Sequence, residues 1–191
     1  MSNSQNLQEK PRLLCNRKKD VDIYLLPGNR QYSVKAVMQD GVHHMQINMI
    51  VNEPSLEIEE ISCEMHSVPD PICSNAKNFL KSMVGKRVAI GLTRELNHSA
   101  REGCTHLVNL FYEACFNITL AQATYGKETL CSSFPGLTEE QMYKIFLWFK
   151  PEIEDSCVRY DRDAPFLQRA KKADLPEGAE QIKELAKKLR N

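Results

Sequence analysis

The alternation of polar and apolar residues between positions 44 and 49, continued by the apolar Val51, is the feature that most constrains the fold. The odd-numbered positions from Met45 to Val51 are all apolar, whereas the even-numbered positions from His44 to Asn48 are all polar. Successive side chains of a strand point to opposite faces, so this segment predicts a strand with one buried face. Such a strand is typical of an antiparallel sheet that packs on one side only.

Three other segments near this strand also have strand character. They are Val21 to Leu26, Tyr32 to Met38 and Leu56 to Met65. Turn signals separate them, with Pro27-Gly28-Asn29 after the first and Asp40-Gly41 after the second. The apolar residues of the last segment change parity, which predicts a β-bulge near Glu59 or Glu60. The sequence therefore predicts an antiparallel meander of three or four strands.

The rest of the chain has helical periodicity. The predicted helices run from Pro71 to Gly85, from Cys104 to Tyr125, from Thr138 to Phe149 and from Pro176 to Arg190. Asp70 suits the N-cap of the first helix, and Gly126 is expected to end the second. Strands followed by helices predict an α+β fold. We expect a polar lead-in over residues 1–20, an α+β core domain over 21–126 and a helical C-terminal extension over 127–191.

The balance of charge gives no reason to expect nucleic acid or a membrane as a partner. The chain has 25 Lys and Arg residues and 25 Asp and Glu residues. Its polar first residues carry no signal-peptide core, so we expect a cytoplasmic protein. An odd number of cysteines, seven, argues against a disulfide framework. The expected partner is an unknown small molecule or a partner protein, and homo-oligomerisation is left open.

The stretch Gly103-Cys104-Thr105-His106-Leu107 is the strongest candidate for a site. It begins the longest predicted helix, where unpaired backbone N–H groups and the helix dipole favour an anion such as a thiolate. Cys73 has the equivalent place in the first turn of the preceding helix. Two thiolates and an imidazole suit zinc or iron, so Cys73, Cys104 and His106 are the predicted metal ligands. The secondary candidates for ligands are His44, His66 and Asp70.

Other roles for these residues stay open. In an enzyme without metal, Cys104 would be the nucleophile, and His106 or a strand histidine would be its base. In an accessory module that binds a small molecule, the cysteines would only pack in the core, as free cysteines commonly do. Asp70 also suits the role of a helix cap. The sequence therefore favours a small protein with a metal- or thiol-dependent site and keeps both alternatives.

Three short motifs resemble an uncharacterised bacterial family, a domain of unknown function. They are Asp40-x-x-His43, Pro69-x-x-x-Cys73 and Gly103-Cys104-Thr105-His106-Leu107. The last is the most specific, and the resemblance extends from Asp40 to Ala121. The resemblance implies a related fold and a site, but it does not imply an activity.

The layout of strands and cysteines is also similar to that of the NifU/IscU-type iron–sulfur scaffold proteins. Both have a strand meander, a cysteine at the start of one helix and a second cysteine at the start of a longer helix. This resemblance implies that Cys73 and Cys104 are ligands of zinc or of a nascent cluster, with His106 and Asp70 in auxiliary roles. The third cysteine of that family has no clear counterpart in this chain.

Overall fold

A computed structural model of the chain describes residues 11–89, Leu92 and residues 103–190. The chain divides into two compact units, residues 1–122 and residues 123–191. No helix in the described part of the chain is both long enough and apolar enough to cross a membrane. The fold is α+β, as predicted, with a four-stranded antiparallel sheet in the first unit and helices after it.

The sheet of the first unit is a simple meander in the order β1-β2-β3-β4. Its strands are β1 (Lys18–Leu25), β2 (Gln31–Gln39), β3 (His44–Asn52) and β4 (Ile58–Ser67). The alternation that predicted β3 is confirmed, because its odd-numbered residues from Met45 to Val51 are buried. β1 begins at Lys18 rather than at Val21, since Lys18 still pairs with Gln39. Ladder hydrogen bonds need no apolar side chain, so polar residues extend this strand.

β4 contains two bulges. Ile50 pairs with Glu60 but Val51 pairs with Ile58, so Glu59 is the extra residue. This confirms the predicted bulge. A second irregularity lies at the far end, where Met45 pairs with Met65 and His44 with Ser67. His66 is therefore the extra residue there, and its side chain is re-aimed by the bulge.

A 3-10 helix, η1 (Pro71–Met83), follows the sheet. The predicted cap is confirmed, because the Asp70 carboxylate accepts a hydrogen bond of 2.9 Å from the backbone N–H of Ile72. The segment is a 3-10 helix rather than an α-helix, and its buried residues recur mainly at steps of three, the 3-10 repeat. These residues are Ala76, Phe79, Leu80 and Met83. Ile72, in the first turn, is exposed.

The long helix α1 (Thr105–Ser133) does not end at Gly126 as predicted. A glycine inside a helix costs only about 1 kcal/mol relative to alanine, and packing can offset that cost. Here a Cβ at Gly126 would lie 3.7 Å from the ring of Phe146, so the glycine leaves room for close packing. The helix ends instead just before Pro135 and Gly136, and Gly136 has a positive φ of 87°.

One face of α1 joins the core of the first unit. Its buried residues are Leu107, Leu110, Phe111, Ala114, Cys115 and Ile118. They belong to one apolar cluster with the buried faces of η1 and of the sheet strands. The sheet therefore has one face covered by helices and one polar face, as the alternation in β3 predicts.

The second unit contains α2 (Glu139–Phe149), α3 (Pro165–Lys172) and α4 (Ala179–Arg190). The predicted capping box of α2 is confirmed, with Thr138 and Gln141 each bonded to the other's backbone N–H. We did not predict α3, a short helix that begins at Pro165. Its apolar signal consists mainly of the buried Leu167 and Ala170, too little to indicate a helix from sequence.

Candidate functional site

Four polar side chains meet at the end of the sheet where β1 begins and where β2 turns into β3. They are Arg17, Asp40, His43 and His106, which we name the histidine cluster. His43 has the same parity as the buried Met45, and His106 lies in the first turn of α1. The centroids of the two imidazole rings are 4.3 Å apart, with 64° between the ring planes. The cluster therefore joins the β2–β3 turn to the start of the long helix.

Asp40 is the most heavily hydrogen-bonded member of the cluster. Its Oδ1 accepts backbone N–H bonds from Val42 at 2.8 Å and from His43 at 2.7 Å. Its Oδ2 accepts from Nε of Arg17 at 2.9 Å and from Nη2 of Arg17 at 2.7 Å. These donors, the backbone ones first, hold the pKa of Asp40 well below its usual range. Asp40 is therefore an ionised carboxylate at neutral pH, and it organises the turn.

The Asp40 carboxylate also orients the ring of His43. Nδ1 of His43 lies 3.2 Å from Oδ1 and 3.3 Å from Oδ2 of Asp40. An ionised carboxylate only accepts hydrogen bonds, so Nδ1 carries the proton in this contact. In the neutral ring, Nε2 then carries the lone pair. A base held in place by a third group is the arrangement found in acid–base and nucleophilic sites.

In His106 the hydrogen-bond roles of the two ring nitrogens are the reverse of those in His43. Its Nδ1 lies 3.4 Å from Nη1 of Arg17. A guanidinium only donates, so Nδ1 accepts and Nε2 carries the proton. Burial of the ring, followed by the charges of Arg17 and His43, lowers the pKa of His106. The two neighbouring rings thus differ in role, since His43 offers a lone pair at Nε2 and His106 offers an N–H at Nε2.

The cysteines predicted as ligands occupy separate elements next to the core. Cys104 precedes α1, and its carbonyl accepts the first helical hydrogen bond, 2.9 Å from the N–H of Val108. A Cβ at Gly103 would lie 2.9 Å from the ring of Phe79, so glycine lets this start approach η1 closely. Cys73 lies half-buried in the first turn of η1.

Two of the remaining cysteines, Cys63 and Cys115, have the properties of unreactive thiols. All seven are free thiols, and those outside the predicted ligand set are exposed or pack in the core. Burial raises the pKa of Cys63 to about 11 and that of Cys115 to about 12. Thiols of this kind stay protonated and unreactive at neutral pH.

The secondary candidates make contacts outside the histidine cluster or have a structural role. The rings of His44 and His66 are 4.7 Å apart, and Nε2 of His66 lies 3.4 Å from Oε2 of Glu64. Asp70 caps η1. Among the residues that the structure describes, no group of three or more His, Cys, Asp or Glu side chains is arranged to hold a metal. A metal held by Cys73, Cys104 and His106 stays a prediction.

Sequence reasoning placed His106 in the site and named Asp40 and His43 in a motif of the family resemblance. It paired neither of them with His106, and it did not single out Arg17. His43 shares the parity of Met45, so the alternation in β3 already placed it on the helix-covered face. Its contact with His106 depends on where α1 crosses the sheet, which no local signal reveals. Arg17 and His106 are 89 positions apart in the chain. Pairs so distant in sequence are set by tertiary packing alone.

The chain matches a model of a protein family over part of its length. A family model described as a protein of unknown function (DUF2889) matches residues 19–117, just over half of the chain. The matched segment contains Asp40, His43 and His106, whereas Arg17 precedes it. No curated protein and no solved structure matches the chain. The resemblance to iron–sulfur scaffold proteins therefore stays a prediction.

Proposed function

Because the chain belongs to the DUF2889 family, whose function is unknown, we propose its function from the histidine cluster: an acid–base site that acts on a small molecule. In this proposal His43 accepts a proton at Nε2, Asp40 holds its ring in place, and His106 donates a hydrogen bond from Nε2. The observation that carries the proposal is the contact of Nδ1 of His43 with the Asp40 carboxylate, 3.2 Å long, beside a second imidazole.

The surroundings of the cluster suit proton transfer. Asp40 is only 6% exposed and His43 only 13% exposed at their side chains, so both are largely shielded from water. Shielding strengthens the electrostatic interactions within a site and keeps its geometry fixed. A base and a hydrogen-bond donor at adjacent rings can act on two neighbouring atoms of one substrate. This combination favours an enzyme over a passive packing role for the two histidines.

Hydrolysis of p-nitrophenyl acetate tests the proposal without knowledge of the natural substrate. This activated ester reports a basic imidazole or a reactive thiol through release of p-nitrophenolate. We expect the wild-type protein to accelerate hydrolysis, and His43→Gln to lower the second-order rate constant by about 100-fold, because a positioned base contributes at least that much. Asp40→Asn should lower it less, since the base remains but loses its orienting carboxylate.

Two variants serve as controls in this assay. His44→Gln removes a neighbouring imidazole that contacts His66 and should leave the rate unchanged. Cys104→Ser tests the alternative mechanism in which this thiol, and not His43, attacks the ester. A loss of activity in Cys104→Ser with full activity in His43→Gln would replace our proposal with the thiol mechanism. Equal rates in His43→Gln and wild type, with Cys104→Ser also unchanged, would exclude the cluster as a catalyst.

The second candidate function is the predicted zinc or iron site at Cys73, Cys104 and His106. Its support is the place of Cys104 at the start of α1, two residues before His106. The expected result for such a site is near-stoichiometric zinc or iron in anaerobically purified, untagged protein, lost in Cys104→Ser. Elemental analysis of both proteins measures it. Only trace metal in the wild type after reconstitution would contradict this candidate.

A further inference from the structure

We propose that a cavity in the second unit binds a small aromatic carboxylate, with Trp148 as the wall for its ring and Lys144 as the partner of its charge. The cavity has a volume of about 210 Å³ and is partly open to solvent. It is lined by Lys144, Leu147, Trp148, Pro151, Glu154 and Lys171. None of these residues belongs to the histidine cluster, and binding in the cavity does not depend on the proposed function.

One side of α2 and the segment that follows this helix form much of the cavity. Lys144, Leu147 and Trp148 are separated by three and four positions, which places them on the same side of the helix. Pro151 is the first residue of a short 3-10 helix, η2 (Pro151–Ile153). A proline at this point cannot continue α2, so the chain turns away from the helix here. The cavity therefore lies at the C-terminal end of α2, where the chain leaves the helix.

The charges of the lining favour one anionic group. Nζ of Lys171 lies 2.8 Å from Oε1 of Glu154, so these two charges compensate each other. Nζ of Lys144 instead donates to the carbonyl oxygen of Ala173 at 2.7 Å, a neutral partner that takes one of its three N–H groups. Among the residues that the structure describes, Lys144 forms no ion pair. Its positive charge is therefore available to a ligand.

The ammonium of Lys144 is held in place before a ligand binds. Ala173 is the C-cap residue of α3, and the carbonyl groups at the end of a helix carry partial negative charge that attracts a cation. On the same side of α2, Gln141 donates from Nε2 to the carbonyl oxygen of Asp174 at 2.6 Å. These two bonds attach α2 to the segment after α3. A side chain that is already ordered loses little entropy when a ligand binds to it.

Trp148 gives the cavity a flat apolar wall. It is half-buried and is the only tryptophan in the chain. Nζ of Lys183, on α4, lies 5.6 Å from the centroid of the indole ring, within the range of a cation–π contact. Leu147 and Pro151 complete the apolar part of the lining. An aromatic ring that stacks on the indole buries apolar surface in a preferred geometry.

The volume and the charge of the cavity together define the class of ligand. A cavity of about 150 Å³ is large enough for benzene, so one of about 210 Å³ holds a single ring with a short substituent. A neutral ring would use only the wall of Trp148, and a small aliphatic acid would use only the ammonium of Lys144. A second negative charge would meet the carboxylate of Glu154 and be repelled. An aromatic ring with one carboxylate uses both groups and avoids this repulsion.

Fluorescence of the single tryptophan measures binding, with benzoate as the probe. We expect benzoate to change the fluorescence of Trp148 saturably, with a Kd in the millimolar range that suits a ligand of about nine non-hydrogen atoms. Benzamide is neutral and similar in size, and it should bind about tenfold more weakly because it makes no charge-assisted contact. N-acetyltryptophanamide, titrated in parallel, corrects for quenching in free solution.

Substitutions of Lys144 test the source of the charge. Lys144→Gln should weaken the binding of benzoate by about tenfold and leave that of benzamide unchanged, since the wall of Trp148 remains. Lys144→Arg keeps the charge and should retain most of the affinity for benzoate. Lys127→Gln replaces an exposed lysine outside the lining of the cavity and is the matched control, which should change neither affinity. Backbone amide spectra establish that each variant is folded.

Nitrogen-15 NMR of the wild type locates the bound probe. We expect benzoate to shift the indole N–H of Trp148 and the backbone amides of the residues that line the cavity. Absence of these shifts, or shifts confined to other residues, would overturn the site. Equal affinities for benzoate and benzamide would overturn the preference for an anion. An unchanged affinity for benzoate in Lys144→Gln, or an equal loss of both probes in the folded variant, would overturn the role of Lys144. The ester hydrolysis expected from His43 should be the same in Lys144→Gln as in the wild type, so the two proposals fail separately.

Discussion

Phe111→Ala is expected to lower the free energy of unfolding by about 3–5 kcal/mol, the usual cost of removing a buried aromatic ring. Phe111 has no exposed surface and lies on the face of α1 that packs into the core of the first unit. It shares one apolar cluster with Ile47 of the sheet and Leu80 of η1. Truncation therefore leaves a cavity among three elements that cannot all move inward. Urea denaturation of the wild type and the variant measures the change.

Phe116→Ala is the matched control for this substitution. Phe116 lies on the same helix and is 63% exposed, so its removal should change the free energy of unfolding by no more than about 0.5 kcal/mol. Both variants alter helix propensity in the same direction and by the same amount. The difference between them thus isolates burial. Equal losses in both variants would show that Phe111 does not hold the helix on the sheet.

The elements that were predicted correctly each have a local signal. The meander follows from alternation and turn residues, and the bulge at Glu59 follows from a change of parity. The caps at Asp70 and Thr138 follow from side chains that bond to nearby backbone N–H groups. Such signals act within a few residues, so the sequence displays them directly.

The elements that were predicted wrongly or not at all depend on tertiary packing. Gly126 is a good stop signal alone, but its lack of a side chain leaves room for Phe146 and the helix continues. Helix α3 has little apolar periodicity and depends on burial of Leu167 and Ala170. For the candidate site, the helix start with Cys104 and His106 was predicted, whereas the partners of His106 come from other elements. Convergence of loops has no local signature, and this is why the metal site stays a prediction.

Acidification is expected to weaken the wild-type protein more than it weakens Asp40→Asn. The folded protein holds the pKa of Asp40 well below its usual range, so folding favours the ionised form. The contribution of ionised Asp40 to the free energy of unfolding is fully present above the ordinary pKa of a carboxyl group, near 4. It is lost as the pH falls through the lower pKa that Asp40 has in the folded protein. Asparagine keeps one oxygen for the turn N–H groups but has no charge to lose. The gap in unfolding free energy between the two proteins should therefore narrow from pH about 7 to pH about 2.

Urea denaturation at several pH values measures this gap. Asp22→Asn, an exposed carboxylate on β1, is the control and should track the wild type at each pH. A gap that is constant with pH would mean that the turn depends on the shape of the Asp40 side chain and not on its charge. A gap that closes in acid would connect stability to the site, because the same carboxylate holds Arg17 and the ring of His43. Protonation of Asp40 would then release both partners, so Arg17 and the ring of His43 should lose their fixed positions over the same range of pH in which stability falls.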